Sequence, residues 1–213
     1  MYLPSHFREE RGEVLQALMR RHPLALLVTM GADGLLANHI PLEWDPEPAP
    51  HGSLVGHVAR GNPMWRDRRP EIEALAIFQG PQSYVSPSWY ETKRETGKVV
   101  PTWNYAVVQA RGPLVVHDDP RWVRALVGRL TDRHESGFPV PWKVTDAPEE
   151  FIDRQLKAIV GIEIPIRQIE GKWKMSQNRP EADRRGVVEG LRELGDASSG
   201  EAAALVADTI PEK

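Results

Sequence analysis

"LALLVTMGADGLLANHIPLEW", residues 24–44, sets two apolar runs on either side of a glycine-bracketed acidic turn, Gly31 to Gly34. That arrangement is the signature of a β-hairpin. Working outward, "SLVGHVA" (53–59) and "EALAIFQG" (73–80) read as further strands. "TWNYAVVQARGPLVVH" (102–117) gives two more, bent at Gly112-Pro113, and "VGIEIPIRQIEGKWKMS" (160–176) another pair. Short strands with hairpin signals predict a closed or nearly closed antiparallel barrel, because closure removes exposed edges.

Helices decorate this framework. Arg8–Arg21 carries Val14, Leu15, Leu18 and Met19 on one face. Asn62 stands as N-cap to a short helix opened by Pro63. "SYVSPSWY" (83–90) reads as an irregular extended segment and "ETKRETGK" (91–98) as a mobile polar loop. A helix runs from Pro120, capped by Asp118 or Asp119, and another covers "APEEFIDRQLKAI" (147–159). Two helices close the chain, 181–194 and 199–207. The stretch "GDASSG" marks residues 196–213 as a C-terminal helical extension of a domain spanning 1–195. The fold class expected is mainly β with helices.

Composition narrows the chemistry. The chain has 213 residues, 40% of them hydrophobic, enough for a real core. Without cysteine there is no disulfide and no thiolate metal site, and the seven histidines show no metal-ligand spacing. No dinucleotide turn, P-loop or nucleophile elbow is present. No apolar run is long enough for a signal peptide or a membrane span, which predicts a cytoplasmic protein. A net charge of −3 argues against an extended DNA-binding surface, although a local basic patch leaves DNA open. No metal ligand and no catalytic residue is assigned.

Four polar clusters remain. Asn38 and His39 interrupt an apolar strand. His57, Arg60 and Asn62 lead into a helix N-terminus, where free N–H groups suit a phosphate. "QSYVSPSWY" and "PTWNY" bring Ser83, Ser86, Trp89, Trp103 and Asn104, which suit stacking on a planar ring and bonding to its edge. "GKWKMSQNRPEADRRG", Gly171–Gly186, places Lys172, Lys174 and Ser176 on one strand face and Trp173 and Met175 on the other, followed by Gln177, Asn178 and Arg179. Each cluster also has a plain structural explanation: a satisfied core histidine, a helix cap, core tryptophans, a capped strand end.

Together, "HIPLEW", "GHVARGNPMW", "YVSPSWY", "VPTWNYAVVQARG" and "KWKMSQNRPEADRRGVVEGL" resemble the PaiB-type proteins, a family of negative transcriptional regulators of protease synthesis and sporulation. The resemblance runs in order from Met1 to Leu194. It implies an FMN-binding split β-barrel of the pyridoxamine-phosphate-oxidase kind, working as a homodimer with FMN near the subunit interface. The residues it suggests for the cofactor are His39, His57, Arg60, Asn62, Ser83, Ser86, Trp103, Asn104, Lys174, Ser176, Gln177 and Asn178. The histidine of the oxidase pattern near Trp173, Arg179 and Arg184 is absent, so oxidation of pyridoxamine phosphate is not implied. Three functions follow: a flavin-binding transcriptional regulator, an FMN-dependent oxidoreductase acting on a small molecule, or a dimeric scaffold without flavin. A flavin carries hydride chemistry itself, so a missing catalytic motif does not exclude the enzyme.

Overall fold

The structure, a computed structural model, describes residues 1–211. β1 (Arg8–Glu9) and α1 (Gly12–Arg21) come first, then β2 (Leu24–Gly31), β3 (Gly34–Pro41), β4 (Glu43–Asp45) and β5 (Ser53–Ala59). β6 (Ala74–Val85) leads through α2 (Glu91–Thr96) to β7 (Thr102–Gly112) and β8 (Val115–His117). α3 (Pro120–Glu135) and α4 (Glu149–Lys157) precede β9 (Ile159–Pro165) and β10 (Gln168–Lys174). α5 (Glu181–Glu193) and α6 (Ala197–Ala207) complete the order. The last two residues of the C-terminal extension, 212–213, lie outside the described residues.

The chain forms two compact units. Residues 1–18, 79–108 and those from Glu170 onward make the first; residues 19–78 and 109–169 make the second. β6 and β7 contribute residues to both.

In the second unit the quoted hairpin forms as written. β2 pairs with β3 from Leu24↔Pro41 to Gly31↔Gly34, and Leu26 pairs with Ile77 of β6. A four-stranded antiparallel sheet runs in the order β4-β5-β9-β8. One face of it buries Leu54, Val58, Val160, Ile162 and Ile164. The other lies under α3, which contributes Val123 and Leu126. Each such side chain is worth about 1.5–3 kcal/mol when taken fully from water. Gly161 lets α3 approach, since a Cβ there would sit 2.2 Å from the Trp122 ring.

In the first unit the sheet order is β1-β10-β7-β6. Alternation along β7 buries Asn104, Ala106 and Val108 on one face and leaves Trp103 exposed on the other. α5 and α6 bury Val187, Leu191, Ala202, Ala203 and Val206. Trp89 is seated in a notch of α5: a Cβ on Gly190 would lie 2.3 Å from its ring, and one on Gly186 would lie 1.9 Å from its carbonyl oxygen.

Four expectations change. The first helix begins at Gly12, because Arg8 and Glu9 pair with Lys172 and Gly171 as β1. "SYV" is regular strand and extends β6 to Val85. "ETKRETGK" contains a helical turn, closed by an Arg94–Glu91 bond of 2.8 Å and by Gly97 in the left-handed conformation at φ 68°. The alternation of β10 stops at Lys174, because Ser176 has φ 62° and turns the chain. Ser176 therefore reaches buried Asn104 instead of sharing the lysine face.

Candidate functional site

The twelve candidate residues fall in both units. His39, His57, Arg60 and Asn62 belong to the second. His39 is exposed on β3. His57 is largely buried on β5, its Nδ1 has no hydrogen-bond partner, and desolvation holds its pKa below the ordinary histidine range. The Arg60 guanidinium is largely engaged: it donates to both Asp118 oxygens (3.0 and 2.5 Å) and to the carbonyls of Lys157 (2.7 Å) and Ile159 (3.2 Å). Asn62 caps the helical turn Pro63–Trp65 by accepting from Met64 N (3.0 Å), and its amide donates to Asn38 Oδ1 (3.0 Å). Arg60 and Asn62 thus tie loop ends together and offer no free donor fork to a phosphate.

The other eight belong to the first unit, where the end of β6, the start of β7 and the end of β10 lie side by side. Asn104 is fully buried and exchanges hydrogen bonds with Ser176, donating from Nδ2 at 3.0 Å and accepting at Oδ1 at 3.2 Å. Gln177 braces the turn, accepting from Met175 N (2.7 Å) and donating to the Trp173 carbonyl (2.6 Å). Ser83 is buried against the Ser199 hydroxyl at 3.0 Å, and Ser86 caps Ser88 N at 3.2 Å. Asn178 is exposed. These bonds are architectural and stand beside two further features: a group of cations in which Lys172 is buried and donates to the Tyr2 carbonyl (3.1 Å), and an exposed pair of aromatic rings.

The first feature is cationic. Lys174 Nζ donates to Thr102 Oγ1 (2.5 Å) and to the Trp103 carbonyl. Burial lowers its pKa, and the charges of Lys172 and Arg179 lower it further. Three cations thus sit close enough to repel, and among the described residues no acid raises the lysine back. Lys172 Nζ lies 5.3 Å from the Tyr105 ring centroid, and Arg179 lies 4.6 Å over the ring of Tyr90. Burial raises the pKa of the Tyr90 hydroxyl, and Arg179, by its charge and its approach to that hydroxyl, acts against the rise. The second feature is aromatic. Tyr84 and Trp103, 46% and 52% exposed, meet edge to face at 6.2 Å.

Sequence reading had placed Lys172 and Arg179 in the right stretch but missed Tyr84, Tyr90, Thr102 and Asp183. Asp183 is fully buried and accepts from both Thr92 N and Thr92 Oγ1 at 2.9 Å. Its only signal in the sequence is its place in "RPEADRR", among basic residues at a helix start. Cavities of about 560, 230 and 370 Å³ also exist. They are lined by residues such as Arg192 and Ile210, Arg60 and Leu156, and Trp122 and Glu163, and none includes the lysine cluster.

Mainly antiparallel sheets with, among the described residues, six α-helices agree with the fold class of FMN-binding split-barrel proteins. The M. smegmatis protein described as "FAD and Heme binding protein" has the same fold, with a TM-score of 0.58 and 18% identity over 78% of this chain and 73% of that one. The chain belongs to the family described as "Putative FMN-binding domain", matched over residues 1–168. It is 30% identical to the "Protease synthase and sporulation protein PAI 2" of Bacillus subtilis, over 99% of this chain and 98% of that protein, which bears out the PaiB-type resemblance. An uncharacterized protein of Emericella nidulans is 35% identical over 92% of each. The cofactor is accordingly FMN. The residues fit it: Lys174 with the charges of Lys172 and Arg179 near it suits a phosphate, and open aromatic rings suit a planar heterocycle. No helix among the described residues is long and apolar enough to cross a membrane.

Proposed function

We propose that this protein holds FMN on the outward strand face of its first unit and acts as a PaiB-type, flavin-dependent regulator of transcription. The observation that carries the reading is the place of the half-buried Lys174 ammonium, bonded to Thr102 Oγ1 and the Trp103 carbonyl within reach of the Lys172 and Arg179 charges, next to the open Tyr84–Trp103 pair. A phosphate among these cations offsets the like charges and favours the protonated form of Lys174. Lys172, Lys174 and Arg179 hold the phosphate; Trp103 and Tyr84 flank the ring; Asn104, Ser176 and Gln177 keep the strand ends in place. When bound, the flavin supplies hydride or electron transfer, and the protein's own groups bind and orient it.

A homodimer completes the reading. Tyr84, Val100 and Trp103 form an exposed apolar set that a second copy would cover. In this reading the FMN-binding domain takes residues 1–195 and a C-terminal extension follows it, in a cytoplasmic protein with FMN at hand. The regulatory role is supported by the similarity to PAI 2. Direct contact with DNA is weak in this reading: Arg124, Arg129 and Arg133 of α3 face Glu149, Asp45 and Glu43, leaving few cations free for phosphates. The half-exposed Trp103 favours a second reading, an FMN-dependent oxidoreductase, because a ring resting there stays open to a small molecule.

Titration of the purified protein with FMN, followed by flavin fluorescence, tests the site. Saturable quenching is expected; its absence leaves the flavin-free scaffold. Anaerobic addition of a nicotinamide donor then separates the roles, since bleaching of the flavin band with turnover identifies the enzyme and bleaching without turnover the regulator.

A further inference from the structure

β6 and β7 are neighbours in the sheet, yet their connection runs from Ser86 to Pro101. Hairpin loops usually take about two to five residues, and a connection longer than about 12–15 is commonly a functional one. Both of its feet stand in the candidate site: Tyr84 precedes it, and Thr102 and Trp103, which bind Lys174, follow it.

The two halves of this connection are held very differently. The first half is anchored. Ser86 caps Ser88, Trp89 fills the Gly186/Gly190 notch of α5, and Tyr90 is 1% exposed beneath Arg179. Thr92 then gives both its N–H and its hydroxyl to buried Asp183. Beyond Thr92 the side chains of Lys93–Lys98 are exposed. The hydrogen bonds described there stay within the connection: Lys93 Nζ to Ser88 Oγ, Arg94 to Glu91, Thr96 Oγ1 to the Thr92 carbonyl, Gly97 N to the Lys93 carbonyl, and Lys98 N to Thr96 Oγ1. Gly97, at φ 68°, supplies a backbone state that other residues rarely adopt. A segment fixed at one end by a buried carboxylate and otherwise held locally opens at low cost.

We propose that Lys93–Pro101 is a lid over the flavin site, pivoting at the Thr92–Asp183 latch and at Gly97, and that Lys98 contacts the anionic part of the bound flavin when it closes. The proposal rests on the placement of FMN argued above. Asp183 is a positioning residue here: it holds the fixed edge of the lid and touches no ligand. Closure removes water from the cation cluster and slows release of the flavin, so the lid sets residence time more than association rate.

Hydrogen exchange of the full chain with and without FMN tests the lid, and stopped-flow release of FMN tests Lys98. Bound FMN should slow exchange at 93–101 as well as at 102–105 and 172–179, and Lys98→Ala should speed release about tenfold. Thr92→Val keeps the buried side-chain volume while removing the hydroxyl bond, and should speed release while leaving the apo protein folded. Protection at 102–105 and 172–179 with none at 93–101 overturns the lid and keeps the flavin site. Release rates of both variants equal to the parent's also overturn it. FMN bound with no protection at 172–179, or not bound at all, overturns the placement and the lid together.

Discussion

Lys174→Ala separates a ligand contact from a strand-end contact, because the two roles change different quantities. In the free protein Lys174 is half-buried and already disfavoured as a cation by burial, by Lys172 and by Arg179. Its removal costs the bonds to Thr102 Oγ1 and the Trp103 carbonyl but also relieves that repulsion. The two effects oppose each other, so the melting temperature of the apo protein should change little. FMN affinity behaves otherwise. A charged hydrogen bond to a phosphate is worth about 1.5–3 kcal/mol, so the dissociation constant should rise about ten- to hundredfold. The assay is a flavin fluorescence titration at several salt concentrations, with thermal unfolding of the apo protein alongside. The parent should lose affinity with salt more steeply than the variant, which has one fewer cation to screen. An unchanged affinity with a lowered melting temperature would refute the reasoning, since Lys174 would then be a strand-end brace. The lowered pKa adds a check on sign. The parent should start losing FMN affinity on the alkaline side at a pH below the ordinary lysine value of 10.5, because Lys174 gives up its proton earlier than a free lysine. Lys174→Ala should lack that limb.

Other outcomes follow from single residues. His57 is held neutral by burial, so the folded state binds fewer protons than the unfolded one as pH falls through 6.5, and stability should decline from there down to the lowered folded pKa; His57→Gln should flatten that slope in denaturant melts. Gly190→Ala drives a methyl group into the Trp89 ring and should cost about 1–3 kcal/mol by urea unfolding; a neutral result would mean Trp89 can leave its notch freely. Arg60→Ala should lower the melting temperature and leave FMN affinity intact, because its donors are spent on Asp118 and two carbonyls; a selective loss of affinity would restore it as a phosphate ligand. Trp103→Ala should weaken FMN and shift the sedimentation coefficient toward that of a monomer together; movement of only one would show that ring contact and subunit contact are different surfaces.

Much of the fold was legible because its signals are local. The Gly31–Gly34 hairpin, the Asn62-Pro63 cap and the Asp119-Pro120 helix start each depend on a few adjacent residues, and each formed where the chain predicts it. The misread segments depend on distant partners. Arg8–Glu9 continues a helical pattern but lies along β10, and that pairing outweighs propensity. "ETKRETGK" has the composition of a loop, and nothing nearby reveals that Asp183, far along the chain, will hold Thr92.

The candidate site shows the same division more sharply. Polar density marked "ARGNP" and "KMSQN" equally, yet density does not say whether donors are already used. Arg60 spends its guanidinium on Asp118 and on the carbonyls at Lys157 and Ile159, and Gln177 spends both ends of its amide on its own turn. Lys174 also bonds to Thr102 Oγ1 and the Trp103 carbonyl and Lys172 to the Tyr2 carbonyl, but here the charges of Lys172 and Arg179 add to burial in lowering the Lys174 pKa. Arg60 and Asn62 tie loop ends together, whereas under the proposed function the cations of β10 and the turn after it are the groups that meet the phosphate.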